Sequence, residues 1–137
     1  MLSIEAEEFI FEGVGEVTGE QYIGKFKIRP ILTFLQKSAA DFERRSFLGN
    51  PAATEAIDPD IAAQGYILAQ IKARVIEGPT WFKETNFLKD LVDSNIAYEI
   101  YTKAAEHEVK YKQKIIDKAK KAKEELIQAD KTAPKID

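Results

Sequence analysis

The sequence predicts a mainly α-helical fold with an N-terminal β-hairpin, an α+β arrangement of three to four helices of which the last is long. Three observations carry this reading. "EFIFEGVGEVTGEQYIGKFKIRP" places aromatic and β-branched residues on both sides of a Thr18-Gly19-Glu20 turn. From Phe34 onward the apolar residues recur at threes and fours, interrupted only by Gly49-Asn50-Pro51 and Gly78-Pro79. Beyond Asp93 no helix stop occurs until the last few residues.

In the second arm of the hairpin, Tyr22, Gly24, Phe26 and Ile28 share one face, and Lys25, Lys27 and Arg29 share the other. One face should be buried and the other wet. A two-stranded hairpin is marginal alone in water, so the apolar face must rest on the helices or on strands of another subunit. Thr33 and Gln36 have capping-box spacing, which starts a first helix near Phe34 that ends near Leu48; Leu35, Ala39, Phe42 and Ser46 form its expected inward stripe. Asp58-Pro59 supplies an N-cap and a first-turn proline for a second helix reaching about Glu77. That helix is apolar around most of its circumference and should be central, with Gly65 and its alanines admitting a close neighbour.

After Gly78-Pro79, Leu88, Leu91 and Val92 are expected to form a short helical turn, and Trp81 and Phe82 to plug the gap where three elements meet. The rival reading is that Trp81 is an exposed anchor, since Trp is enriched at binding hot spots. Asp93 or Ser94 should then cap the last helix. Its apolar line runs Ala97, Ile100, Ala104, Tyr111, Ile115, Ala119, Ala122 and Leu126. At about 35 residues it would reach roughly 50 Å, more than this chain can cover. The chain thus divides into a hairpin plus helical body over 1–112, a charged extension of the last helix over 113–131, and a flexible tail over 132–137.

With 137 residues, 45% of them hydrophobic, the chain can bury a core without disulfides or metals. It has no cysteine, which excludes thiol catalysis and Cys-ligated zinc. No apolar run has membrane-spanning length and the N-terminus is acidic, so neither secretion nor membrane insertion is expected. Charge is lopsided. Residues 1–24 hold six glutamates and no Lys or Arg, whereas residues 110–131 hold eight lysines against four acids. Such asymmetry can steer one copy onto another or pin the tail to its own hairpin.

The chemical motifs read as structure. His107 lacks a second histidine at ligand spacing, and Glu99 or Glu108 alone cannot complete a metal site, so a solvated helix face is expected. Asp90 and Asp93 are spaced like an acid–base pair but also like helix caps. The hairpin glycines lack the strand-to-helix context of a phosphate loop. No nucleophilic triad can be assembled. The chain is therefore expected to be no enzyme and to use no cofactor, metal or small-molecule substrate. Lys118, Lys120, Lys121 and Lys123 could contact nucleic-acid phosphates, but Asp117, Glu124 and Glu125 interleave with them, which favours a solvated face or an acidic protein partner.

The order of elements in "GEVTGEQYIGKFKIRPILTFLQ", "RRSFLGNP", "AAQGYILAQIKARVIEGP", "TWF" and "LKDLVDSNIAYEIYTKAAEHE" resembles that of small structural and assembly proteins of tailed bacteriophages. The nearest layout is that of the tail assembly chaperones, in which a short β segment precedes a helical body. The resemblance covers residues 9–112 and lies in the order of element types. It implies a non-enzymatic protein that works by contacts with other phage structural proteins or copies of itself, in the host cytoplasm during assembly or within the virion. Tail assembly chaperones keep the tape-measure protein soluble and bring tail-tube subunits to it. The long charged last helix departs from that family, so a head-surface, neck or tail subunit of the particle is the alternative. The contact residues this reading selects are Tyr22, Phe26 and Ile28 on the hairpin, Trp81 and Phe82 on the connector, and Tyr111, Ile115 and Leu126 on the last helix.

Overall fold

A computed structural model describes residues 3–47 and 58–132. Strands β1 (Glu7–Val14) and β2 (Gln21–Ile28) form the expected antiparallel hairpin, with Phe9 opposite Phe26 and Gly13 opposite Tyr22. Helices α1 (Phe34–Phe47), α2 (Pro59–Arg74), α3 (Thr80–Glu84) and α4 (Ser94–Thr132) follow, with a short strand β3 (Val75–Glu77) between α2 and α3. The mainly helical α+β class is as the sequence predicts. The expected end of the first helix at Leu48, and the tail after residue 132, lie outside the described residues.

The helix starts follow the local signals. Thr33 and Gln36 cap α1 reciprocally, the Thr33 N–H donating to Gln36 Oε1 at 2.8 Å and the Gln36 N–H to Thr33 Oγ1 at 3.2 Å. Asp58 caps α2 by accepting the Asp60 N–H at 2.7 Å, with Pro59 in the first turn. α2 is central, packed against α1 on one side and α4 on the other.

Three expectations are corrected. α2 ends at Arg74 rather than near Glu77, because the chain extends from β-branched Val75 onward, Val75 pairing with Ile28 and Glu77 with Lys27 of β2, and makes a third strand, in the order β1-β2-β3. The inward stripe assigned to α1 faces solvent: Leu35 is 78% and Phe42 70% exposed, Ala39 and Ser46 are exposed with them, and Ala40 is the buried residue. Glu43 and Phe47 lie on the side that meets α2. The Glu43 carboxylate meets Lys72 Nζ of α2 at 2.9 Å and Lys89 Nζ at 3.7 Å, and Phe47 faces Gly65 of α2, close enough that a Cβ there would touch it. Finally, Leu88, Leu91 and Val92 form no helix, only a single turn closed by the Leu91 N–H donating to the Leu88 carbonyl at 3.3 Å. The short helix is Thr80–Glu84, and Asn86, Phe87 and Leu88 all take positive φ, at 55°, 57° and 70°.

Three successive residues in the left-handed region cost roughly 1–2 kcal/mol each when they carry a Cβ. Packing holds them there. Leu88 is buried in the core, the Phe87 ring meets Phe82 at 5.4 Å, and the Thr85 hydroxyl donates to the Trp81 carbonyl at 2.7 Å while accepting the Leu88 N–H at 3.2 Å. Asn86 is the exposed member of the three. Asn86→Gly should therefore relieve strain without opening a cavity, and thermal denaturation is expected to show Tm raised by roughly 2–4 °C; an unchanged or lowered Tm would mean the turn is not strained at that position.

Candidate functional site

The core determines which surfaces remain for function. Phe11, Phe26, Ile28, Ile71, Phe82, Ile96 and Ile100 pack between the inner face of the sheet and helices α2 and α4. Ala97, Ile100 and Ala104 turn inward as their spacing predicts. Trp81 lies over this core half-buried, its ring 5.4 Å from Tyr22 and 5.7 Å from Phe26. Its indole N–H donates to the Ile23 carbonyl at 3.0 Å. β3 pairs only with the last two residues of β2, so Trp81 supplies a donor to a β2 edge that has no strand beside it there. Gly24 permits this, since a Cβ at that position would collide with the Pro79 ring.

Consequently, five of the eight expected contact residues are engaged within the chain. Tyr22, Phe26, Ile28 and Phe82 are buried in its own core and Trp81 is committed to the hairpin, so their expected availability to a partner is withdrawn. The alternation that marked them is the signature of a buried face, whichever chain buries it. Tyr111 and Ile115 are half-buried where α4 leaves the body, the Tyr111 hydroxyl accepting the Glu5 N–H at 3.2 Å. Leu126 is 71% exposed.

A buried carboxylate, which sequence spacing offered only as a cap or an acid–base candidate, anchors the hairpin. Asp93 has no exposed surface. It accepts the N–H groups of Val17 at 2.8 Å and Thr18 at 2.9 Å, the Thr18 hydroxyl, and the Tyr22 hydroxyl at 3.0 Å. Chiefly because of the Thr18 hydroxyl, and against its own burial, its carboxyl is held down at about 2. Burial, and then the Asp93 carboxylate, push the Tyr22 hydroxyl up to about 12. Asn95 grips the same turn, accepting the Glu16 N–H at 3.1 Å and donating to the Val14 carbonyl at 2.9 Å. Gly15 makes room, because a Cβ there would collide with the Asp93 carboxylate.

These groups do not converge on a reaction site. Asp90 is exposed, and the cavity that Asp93 helps line holds about 40 Å³ among mostly apolar side chains. His107 corrects the expectation of a solvated helix face: its Nδ1 lies 3.0 Å from Glu7 Oε1, and its ring stacks on Phe9 at 5.5 Å. Glu108 pairs with buried Arg74 at 3.3 Å, and Glu99 accepts from Asn95 at 3.0 Å. Among the described residues no three His, Asp or Glu side chains are grouped to hold a metal, and no helix is long and apolar enough to cross a membrane.

Among the described residues, three surfaces stand out as exposed. One is the outward side of α1, with Phe34, Leu35 and Phe42. The second is the outer side of the hairpin and its free β1 edge. The Gly15 N–H to Glu20 carbonyl bond, at 2.8 Å, fixes the parity of the ladder, so the backbone groups of Glu8, Ile10 and Glu12 point away from β2 where no strand follows. The third is α4 from Gln113 to Asp130, exposed on every side apart from Ile115. The chain matches no protein-family model and no curated protein or solved structure at significance.

Asp93 offers a sharp test of the clamp. A carboxyl whose folded pKa is depressed stabilises the fold above its unfolded value, near 3.8, and that contribution disappears as pH falls toward about 2. Asp93→Asn should lower Tm by roughly 10 °C at neutral pH and flatten the loss of stability between about pH 4 and pH 2. Thermal melts across that range check both, and a variant that keeps the acid limb of the native protein would show that Asp93 is not its source.

Proposed function

We propose that this chain acts through protein–protein contacts as a non-enzymatic structural or assembly protein of a tailed bacteriophage. The first role is that of a tail assembly chaperone working in the host cytoplasm; the alternative is a head-surface, neck or tail subunit of the particle. The order of hairpin, helices and aromatic connector supports the phage assignment by resemblance. One observation carries the contact reading: the distal part of α4 runs on for 18 residues from Gln113 to Asp130 with only Ile115 half-buried. Continuous with the docked half of α4, this stretch can propagate as helix, yet it packs almost no face against the body, whereas most helical stability in proteins comes from a packed face. Its narrow apolar stripe is of the kind that seats on another polypeptide.

Lysine exposure also permits the nucleic-acid reading, since Lys118, Lys120, Lys121 and Lys123 are all exposed, but Asp117, Glu124 and Glu125 interleave with them. Deleting residues 113–137 should leave the Tm of the body within about 2 °C, because the removed helix touches little of it, while abolishing capture of a long helical, tape-measure-like protein on co-expression. Capture that persists without the extension would refute a role for it. Mass spectrometry of purified particles separates the two roles, a chaperone being absent and a subunit present. A gel shift that stays flat at low salt disposes of the nucleic-acid reading.

A further inference from the structure

We propose that the distal half of α4 docks on the outer face of the hairpin of a second copy, and that two copies do so reciprocally in a two-fold dimer. This rests on the protein-contact reading and names its partner and its site. The hairpin's helices all lie on its inner face, where Phe11, Tyr22 and Phe26 are buried. Its outer face is bare and partly apolar: Ile10 is 70%, Val14 56% and Ile23 55% exposed. The ladder places Glu12 opposite Ile23 and Ile10 opposite Lys25, so Ile10 and Ile23 are diagonal neighbours.

Charge gives that face a sign. Lys25 is already engaged by Glu8 at 2.9 Å, and Lys27 is half-buried at the far end. Toward the turn, Glu12 and Glu16 are exposed with no basic side chain paired to them among the described residues, while Glu20 turns to the inner side and accepts from the Tyr22 hydroxyl. The helix that would meet them carries the opposite sign. The half of its stripe of Ile115, Ala119, Ala122 and Leu126 nearer the body is bordered by Lys118, which follows Ile115 by three, and Lys123, which follows Ala119 by four, while Glu125 and Asp130 border only its far end. Lengths agree as well. Residues 113–132 span about 30 Å of helix, and an eight-residue strand spans about 26 Å.

The helix cannot reach its own hairpin's outer face. α4 is unbroken from Ser94 to Thr132, and Ile96, Ile100 and Ala104 pin its first half to the inner side. A second copy is then the occupant that carries both the acidic face and the basic rod. One rod about 10 Å wide over about 30 Å covers roughly 300 Å² per partner, and two reciprocal contacts bury about 1,200 Å² in all, the lower bound of a stable interface. One contact alone falls short, which is why the dimer is two-fold.

Sedimentation equilibrium of the full chain tests this. The native protein should be a dimer whose Kd weakens at least about tenfold between about 50 mM and 500 mM NaCl. Lys118→Glu/Lys123→Glu and Glu12→Lys/Glu16→Lys should each be monomeric, with circular dichroism unchanged, at concentrations where the native chain is dimeric. An equimolar mixture of the two should dimerise again, since both contacts regain opposite charges. A native chain that is monomeric throughout, a dimer that survives both reversals, or a dimer lost only in Phe34→Ser/Phe42→Ser would each overturn the proposal. So would a monomer that binds duplex DNA through these lysines. If the chain is monomeric yet residues 113–137 still capture a different protein, this inference falls while the contact reading stands; if they capture nothing, both fall.

Discussion

The arrangement depends on one carboxylate. Asp93 sits at the start of α4 and takes its hydrogen bonds from the hairpin turn, 75 and 76 residues earlier in the chain, instead of from the helix it precedes. A buried charge is tolerable only when its acceptor sites are filled, and here two backbone N–H groups and two hydroxyls fill them. That requirement orients α4 against the sheet, because no other position of the turn satisfies Asp93. Asn95 and the Tyr111 contact to Glu5 hold the two ends of the same alignment. The direction in which the distal helix leaves the body follows from these contacts.

Arriving at that position requires an awkward connector. Between α3 and α4 the chain must reverse within a few residues while keeping Phe82, Phe87 and Leu88 in the core. It does so through three left-handed residues, two of them large and apolar. Their strain is repaid by burial, since each aromatic ring removes roughly 150–250 Å² from water. Trp81 is part of the same solution. It follows the Gly78-Pro79 stop directly, so it reaches back over β2 and meets a carbonyl that β3 is too short to pair.

Local signals were legible in the sequence, and global ones were not. The hairpin, the capping box at Thr33 and Gln36, the Asp58-Pro59 start and the inward line from Ala97 to Ala104 each depend on neighbours a few residues away. β3 was hidden because three β-branched and charged residues at the end of a helical pattern fit either state, and pairing with β2 decides between them. The rotation of α1 was hidden for a related reason. Leu35, Ala39 and Phe42 do form a stripe, but periodicity reports only that a stripe exists; which side faces α2 is decided by long-range contacts, here Ala40 buried and Glu43 paired with Lys72 and Lys89. Asp93 looked like a cap because its long-range partners carry no local mark. The same blindness assigned Tyr22, Phe26, Ile28 and Phe82 to a partner when the chain's own helices bury them.

The distal helix shows how an exposed element can remain formed and still be incomplete. Nucleation is the costly step in making a helix, and the docked half of α4 supplies it, so each further residue needs only to propagate. Lys, Ala, Glu and Gln propagate well, and pairs such as Gln113 with Asp117, at 2.9 Å, add small increments. Helix formation therefore does not by itself require a partner. The side chains point to one, because propensity alone would be served by any polar rod, whereas Ile116, Leu126 and Ile127 are exposed and Ile115 only half-buried among the described residues. A helix that needed only to be soluble would gain by replacing them with Ala, Glu or Lys. Their presence on a rod whose direction is set by a buried carboxylate is what ties the packing of the body to a contact made outside it.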